Sequence, residues 1–224
     1  MFQPLSSSVG DYLKAVWGIA GPGVAAPKDL SSWLSVSSAS VSEMLRRLQE
    51  LGLVEYERYR GASLTEEGLS EALRLVRRHR LIETFLLDRL GYSWEEVHEE
   101  AEKLEHAVSD RFTERLAEML GHPDHDPHGD PIPAVDGSLE PDGSFPLPAA
   151  AVGQRVLIAR VGQETTPLLT YLGERGLVPG RLLTVREVRV LDGVIVVADE
   201  DGDTHSLGAP LAGALFVRSA TEDG

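Results

Sequence analysis

Apolar residues recur at helical spacing from the start of the chain. Val9, Leu13, Val16 and Ala20 follow Ser6-Ser7-Ser8 and stop at Gly21-Pro22-Gly23, which predicts a first helix. Lys28 to Leu34 reads as a short second helix. Ser37-Ser38-Ala39-Ser40 offers an N-cap to a third, with Val41, Leu45 and Leu48 on one face and Arg46 and Arg47 off it. Leu51-Gly52-Leu53-Val54 ends that helix and opens a strand, and Glu55 to Leu64 reads as a hairpin turning near Arg60-Gly61. Thr65, followed by Glu66 and Glu67, caps a long helix predicted to run to Leu90 and to stop at Gly91. A further helix is predicted from Ser93, which forms an S-x-x-E box with Glu96, to about Leu120. Its apolar stripe of Val97, Ala101, Leu104, Val108, Phe112 and Leu116 is too wide for a lone surface helix, so a partner subunit is expected to cover it.

Residues 121–150 hold seven of the thirteen prolines and four glycines, the composition of a connector. From Val152 the texture changes to short β-branched runs, Arg155 to Arg160, Leu182 to Val190, Val194 to Ala198 and Ala214 to Val217. Asp192-Gly193 and Asp201-Gly202 are turn signals, and Leu168 to Glu174 reads as one short helix. Roughly five short strands predict a small β-barrel. Three short helices and a hairpin are the order of a winged helix-turn-helix. The expected chain is therefore mainly α with a small β domain. It has a winged helix-turn-helix at 1–73, a helical domain expected to pair with a partner subunit at 74–140, a linker at 141–151 and a β-barrel at 152–220.

At 224 residues, 42% hydrophobic and 25% charged, the chain has the apolar mass for a sizeable core, and it contains no apolar run of bilayer-spanning length. Met1-Phe2-Gln3-Pro4 lacks the basic-then-apolar order of a signal peptide, so a cytoplasmic protein with no membrane partner is expected. A net charge of −15 argues against nucleic acid until it is divided along the chain. Residues 1–80 carry ten basic and nine acidic side chains, leaving 11 and 27 for the remainder, so the first third is near neutral. Clustered arginines there can still present a basic face to DNA. The absence of cysteine removes thiolate metal sites and Cys nucleophiles, leaving imidazole and carboxylate ligands, which favour harder cations.

Those ligands are present at helical spacing. His98, Glu102, Glu105 and His106 fall at i, i+4, i+7 and i+8 of the helix expected from Ser93, and His79 and Glu83 fall at i, i+4 of the helix before it. Carboxylates beside apolar positions are costly unless neutralised, and a divalent cation does this. Glu95, Glu96, Glu99 and Glu100 fit an ordinary solvated face. His122, His125 and His128 lie in the Pro/Gly-rich segment and read as solvated connector residues, and His205 sits in a strand without an evident partner.

The runs from His79 to Glu83, from Val97 to Ser109 and from His125 to Pro133 resemble the diphtheria toxin repressor family of metal-dependent transcription regulators, over nearly the whole chain. The resemblance implies a metal-loaded homodimer that binds double-stranded DNA and governs iron or manganese genes, with a Src-homology-3-like C-terminal barrel. It implies a primary metal site at Asp11, Glu102, Glu105 and His106. Iron-responsive members carry a cysteine at the place of Glu102 and a methionine at that of Asp11, so oxygen donors at both favour Mn2+, with Fe2+ the alternative. Manganese members of the two-metal type have a glutamate where this chain has Lys14 and an aromatic where it has His98. The resemblance instead matches His79, Glu83 and His98 to a separate ancillary site, completed from the barrel by Gln163 or its neighbour Glu164. The glutamate expected three residues before Gln163 is Arg160.

For DNA, Ser37, Ala39, Ser40, Ser42 and Glu43 begin the expected recognition helix, while Lys28, Arg46, Arg47, Arg58 and Arg60 are placed for phosphates. No organic cofactor is expected. Two other functions compete. A di-metal carboxylate enzyme needs a Glu-x-x-His pair on each of two helices, which this chain lacks, and a metal-independent winged-helix regulator leaves the clustered acids unexplained.

Overall fold

Local caps set the helix ends of the N-terminal region. In the computed structural model, which describes residues 6–140, 142–162, 165–189 and 191–220, α1 (Ser7–Ala20) ends where Gly21 takes a positive φ of 53° and donates its N–H to the Trp17 carbonyl. Pro27 opens α2 (Pro27–Trp33) at a position where a missing N–H costs nothing. The Ser37 hydroxyl accepts the Ser40 N–H and starts α3 (Ser38–Glu50). Strands β1 (Val54–Glu57) and β2 (Gly61–Leu64) pair antiparallel, with Glu57 opposite Gly61, so the turn is centred on 58–60. Ala25 and Ala62 exchange backbone hydrogen bonds of 2.8 and 3.0 Å, fastening the hairpin to the segment before α2. Gly61 permits this, because a Cβ there would overlap the Ala25 carbonyl oxygen. Leu13, Val16, Leu30, Val41, Leu45, Leu48 and Ala62 are completely buried in one core.

The chain divides into two compact units, residues 1–79 with 133–138, and residues 80–132 with 139–224. The long helix α4 (Glu66–Leu90) begins in the first and ends in the second. Thr65 caps it as expected, accepting the Gly68 N–H and donating to the Gly52 carbonyl at 2.7 Å.

In the second unit the helix expected from Ser93 to Leu120 is two helices, α5 (Val97–Leu104) and α6 (Asp110–Leu120). Ser109 causes the break. Its backbone is extended and its hydroxyl accepts the Phe112 N–H, a cap that outweighs continued helix through Glu105 to Val108. The Ser93–Glu96 box forms, with both the Ser93 N–H and hydroxyl on the Glu96 carboxylate, and holds that carboxyl below its ordinary pKa. Val97, Ala101 and Leu116 are buried against Ile82 and Leu86 within this one chain. Phe112 and Met119 of the same α6 remain about half exposed.

The C-terminal region contains β3 (Phe145–Pro146), a single 3-10 turn at Leu147–Ala149, β4 (Arg155–Val161), α7 (Thr166–Gly173), β5 (Leu182–Arg189), β6 (Val194–Asp199), β7 (Thr204–Leu207), α8 (Ala209–Ala214) and β8 (Leu215–Ser219). All pairs are antiparallel, in the order β3-β8-β4-β5-β6-β7. Register shifts at Ile158/Arg160 and Val185/Glu187 bend the sheet around Leu147, Val156, Ile158, Leu169, Leu172, Val197 and Val217. The strand pattern anticipated β4, β5, β6 and β8 but not β3, β7 or α8, and Ala214 closes α8 rather than opening a strand. Val190, the expected end of β5, lies outside the described residues. His205 does have a partner, since its Nε2 is 3.1 Å from the Asp199 carboxylate. Helix dominates the whole, as expected.

Candidate metal centre and nucleic-acid interface

In the second unit, α4 presents Glu83, which is completely buried. His98, one residue into α5, donates Nδ1–H to Glu83 Oε1 at 3.1 Å. His128 is also completely buried. Its Nε2 is 3.0 Å from the Trp94 carbonyl oxygen, which can only accept, so Nε2 carries a proton and donates it there. That Nδ1 is 3.9 Å from Glu83 Oε1. Glu83, Asp126 and His128 each bring one ligand atom within 4.8 Å of the others, and all three are buried. An imidazole oriented by a backbone carbonyl beside two buried carboxylates suits a divalent cation.

Asp126 and His128 were not among the site residues expected, and His128 is a buried group rather than a solvated one; His122 and His125 are exposed, as anticipated. Asp126 shapes the loop by accepting the His128 and Asp130 N–H groups on Oδ1, at 2.8 and 3.0 Å. Arg80 of α4 reaches Asp126 Oδ2 at 3.3 Å, Asp130 at 3.4 Å and the Pro131 carbonyl at 2.5 Å. The signal available in the sequence was Asp126 followed by Gly129, a side-chain-capped turn, within the run that carries the family resemblance.

Of the other expected ligands, His79 lies one turn before Glu83 on α4 and is buried. Glu102 is half-buried on α5, Glu105 is completely buried at the end of that helix, and His106 follows with Nε2 3.2 Å from Glu105 Oε1. Glu105 closes α5 in helical conformation, with its N–H on the Ala101 carbonyl at 2.9 Å, and His106 is the first residue beyond that cap. Asp11 and Lys14 are half-buried on α1, in the first unit. Gln163 and Glu164 lie outside the described residues. Arg160 lies over the Phe216 ring at 3.7 Å and within 3.5 Å of Asp130 and 3.3 Å of Asp142. Burial pushes the Asp142 carboxyl up, but Ser144, Arg160 and Arg218 together hold it below its ordinary pKa.

On the first unit, Ala39, Ser40 and Glu43 are exposed at the start of α3, with Arg46 and Arg47 exposed farther along. The serines are partly engaged. Ser37 and Ser40 hydroxyls are 2.9 Å apart, and Ser42 donates to the Ser38 carbonyl. Arg46 Nε donates to the Ser42 carbonyl. Lys28 is exposed on α2, and the hairpin tip carries Arg58 and Arg60 on either side of Tyr59. Tyr59 is 83% exposed at a φ of 70°, with the Arg58 guanidinium 4.8 Å from its ring, and it was not among the expected contacts. Arg60 pairs with Glu57 at 3.0 Å.

This is the build of a DNA-binding regulator, with a reading helix and wing in one unit and buried metal-type donors in the other. Residues 4–62 match the family described as iron dependent repressor, N-terminal DNA binding domain. Residues 65–134 match its metal binding and dimerisation domain, and 145–219 match the FeoA domain. The iron-dependent repressor IdeR of Mycobacterium leprae is 31% identical over 207 residues, 86% of this chain and 90% of that protein. The diphtheria toxin repressor of Corynebacterium glutamicum is 32% identical over 158 residues, 68% of this chain and 69% of that one. A manganese-dependent transcriptional repressor solved in complex with manganese superposes with a TM-score of 0.89 at 41% identity, covering 95% of this chain and 100% of that one. The chain belongs to the diphtheria toxin repressor family of iron- and manganese-dependent repressors. It is a metal-dependent transcriptional repressor that binds DNA as a dimer, and not an enzyme, which sets aside the di-metal carboxylate alternative. Among the described residues no helix is long and apolar enough to cross a membrane.

Proposed function

We propose that this repressor responds to manganese in the cytoplasm and binds palindromic operators of metal homeostasis genes, with no organic cofactor. The observation that carries the reading is the set of buried oxygen and imidazole donors, assembled in a chain without sulfur ligands other than methionine. Carboxylate-rich sets select harder ions by ligand type, although Fe2+ retains affinity for them. The 41% identical repressor bound to manganese supports the same choice.

The primary site is assigned to Asp11, Glu102, Glu105 and His106. A second site is assigned to Glu83, Asp126 and His128 with His98 beside them, and with His79 one turn away on α4. Gln163 and Glu164 remain the candidates from the β domain. An ion at either place adds positive charge beside the buried carboxylates Glu83 and Glu105. Donation by Asp11 commits α1, and the α1 core residues Leu13 and Val16 share one core with Val41 and Leu45 of α3. The residues proposed to face DNA are Ser37, Ala39, Ser40, Ser42 and Glu43 at base edges, and Lys28, Arg46, Arg47, Arg58 and Arg60 at phosphates.

Operator binding measured against free Mn2+ tests the reading. Affinity is expected to rise roughly 5- to 150-fold over protein in chelator, the range of a coupling of about 1 to 3 kcal/mol, and equal binding in both refutes it. Glu102→Cys combined with Asp11→Met exchanges two hard oxygens for sulfur. The preference is expected to move from Mn2+ toward Fe2+ or Co2+ with the dimer intact, whereas His98→Ala is expected to weaken the response without changing the preferred ion. Retention of the parent's Mn2+ preference by the double variant contradicts the assignment of the primary site.

A further inference from the structure

The loop that bears Asp126 and His128 is held from two sides. Arg80 grips it from α4 through Asp126, Asp130 and the Pro131 carbonyl. From the β domain, Arg160 at the β4 bulge reaches Asp130 Oδ1 with Nη1 at 3.5 Å, reaches Asp142 Oδ2 with Nε at 3.3 Å, and stacks on Phe216. The Val161 N–H, one residue on, donates to the His128 carbonyl at 3.0 Å. Gly129 backs onto the Ala159 carbonyl so closely that no Cβ fits between them. The Arg160 side chain is about three-quarters covered, and a guanidinium group carries a fixed positive charge.

We infer that Arg160 is a positioning residue for the Glu83–Asp126–His128 centre, a resident cation through which the β domain holds the 126–130 turn and sets metal affinity without donating a ligand from this position. The inference rests on the second metal site proposed above. Asp130 lies two residues from His128, and its N–H shares the Asp126 Oδ1 acceptor with the His128 N–H, so displacement of Asp130 moves both donors. Because the cation is part of the chain, the turn is ordered before any metal arrives, and binding does not bear that ordering cost.

Full-length protein titrated with Mn2+, with the free ion followed by electron paramagnetic resonance, provides the test. The parent is expected to show two classes of site, one lost in His128→Ala and the other in His106→Ala. Arg160→Gln is expected to weaken the first class roughly tenfold and to spare the second. Arg160→Lys, which keeps the charge but loses the fork, is expected to fall between parent and Arg160→Gln. In metal-free protein, amide exchange at His128 and Val161 is expected to quicken in Arg160→Gln. Unchanged Mn2+ binding in Arg160→Gln overturns the inference even if exchange quickens, and so does an equal loss from both classes. If His128→Ala removes no class, the second site itself falls and takes the inference with it, while the primary site still stands or falls by His106→Ala.

Discussion

Gly129 shows how much one residue decides. Its φ of 89° is in the left-handed region, and its α-carbon lies against the Ala159 carbonyl. Gly129→Ala is expected to cost about 3 kcal/mol, combining left-handed strain with overpacking, as read by urea denaturation. Gly121, at φ 77° beyond the end of α6, has open space around it, so Gly121→Ala is expected to cost only about 1 kcal/mol. Equal costs would mean that the close approach at Gly129 carries no energetic weight. The same loop marks the limit of reading residues from sequence. Glu83 and His98 announce themselves by helical spacing and do meet. His128 carries no periodicity, and its burial depends on Trp94, Arg80 and β4, all remote in the chain. Polar loop composition therefore suggested solvent where the fold supplies a lid.

Elements were most legible where a side chain competes locally for backbone groups. Ser37 and Thr65 cap where the pattern placed them. Ser109 defeated the pattern, because Val97, Ala101, Leu104, Val108, Phe112 and Leu116 keep helical spacing across a cap that splits the helix. Strand β7 was missed because Thr204 to Leu207 offers only one apolar residue, Leu207, and is secured instead by its turn. There Asp199 accepts the Asp201 and Asp203 N–H groups on one oxygen, and Arg181 and His205 meet the other. Hydrogen bonds from Arg181 and then His205 lead the effects that hold the Asp199 carboxyl far below its ordinary value of 3.8. A depressed carboxyl stabilises the fold above the unfolded value, and this contribution fades as pH falls through and below about 4. Asp199→Asn is thus expected to lower the thermal midpoint at pH 7, with parent and variant converging as the solution is acidified below pH 4. A gap that stays constant with pH would rule out the ionised carboxyl as its source.

For the whole molecule, the apolar stripe expected to meet a partner subunit is largely used within one chain, since Val97, Ala101 and Leu116 are already covered. What remains for a second copy is narrower, Phe112 and Met119 on α6, and Leu90 at the end of α4. With dimerisation a property of this domain family, Phe112→Glu places a charge on that remaining face. It is expected to shift sedimentation toward monomer at micromolar concentration and to lose operator binding with it, while circular dichroism stays that of the parent. A variant that remains dimeric would place the subunit contact elsewhere. Composition could not show this division, because residues that cover each other within a chain and residues that cover a partner obey the same periodicity.

The two-sided grip on residues 126–131 also bears on where the backbone can be cut. Residues 134–136 and Glu140 are exposed, whereas the turn before them is tied to β4 by Val161, Arg160 and Gly129. A recognition sequence for a site-specific protease, inserted between the exposed Asp136 and its neighbour Gly137 and then cut, is expected to yield two fragments on a denaturing gel that still migrate together under native conditions. Covalent continuity at this point is then dispensable, and the C-terminal piece behaves as a subunit that happens to be encoded in the same chain.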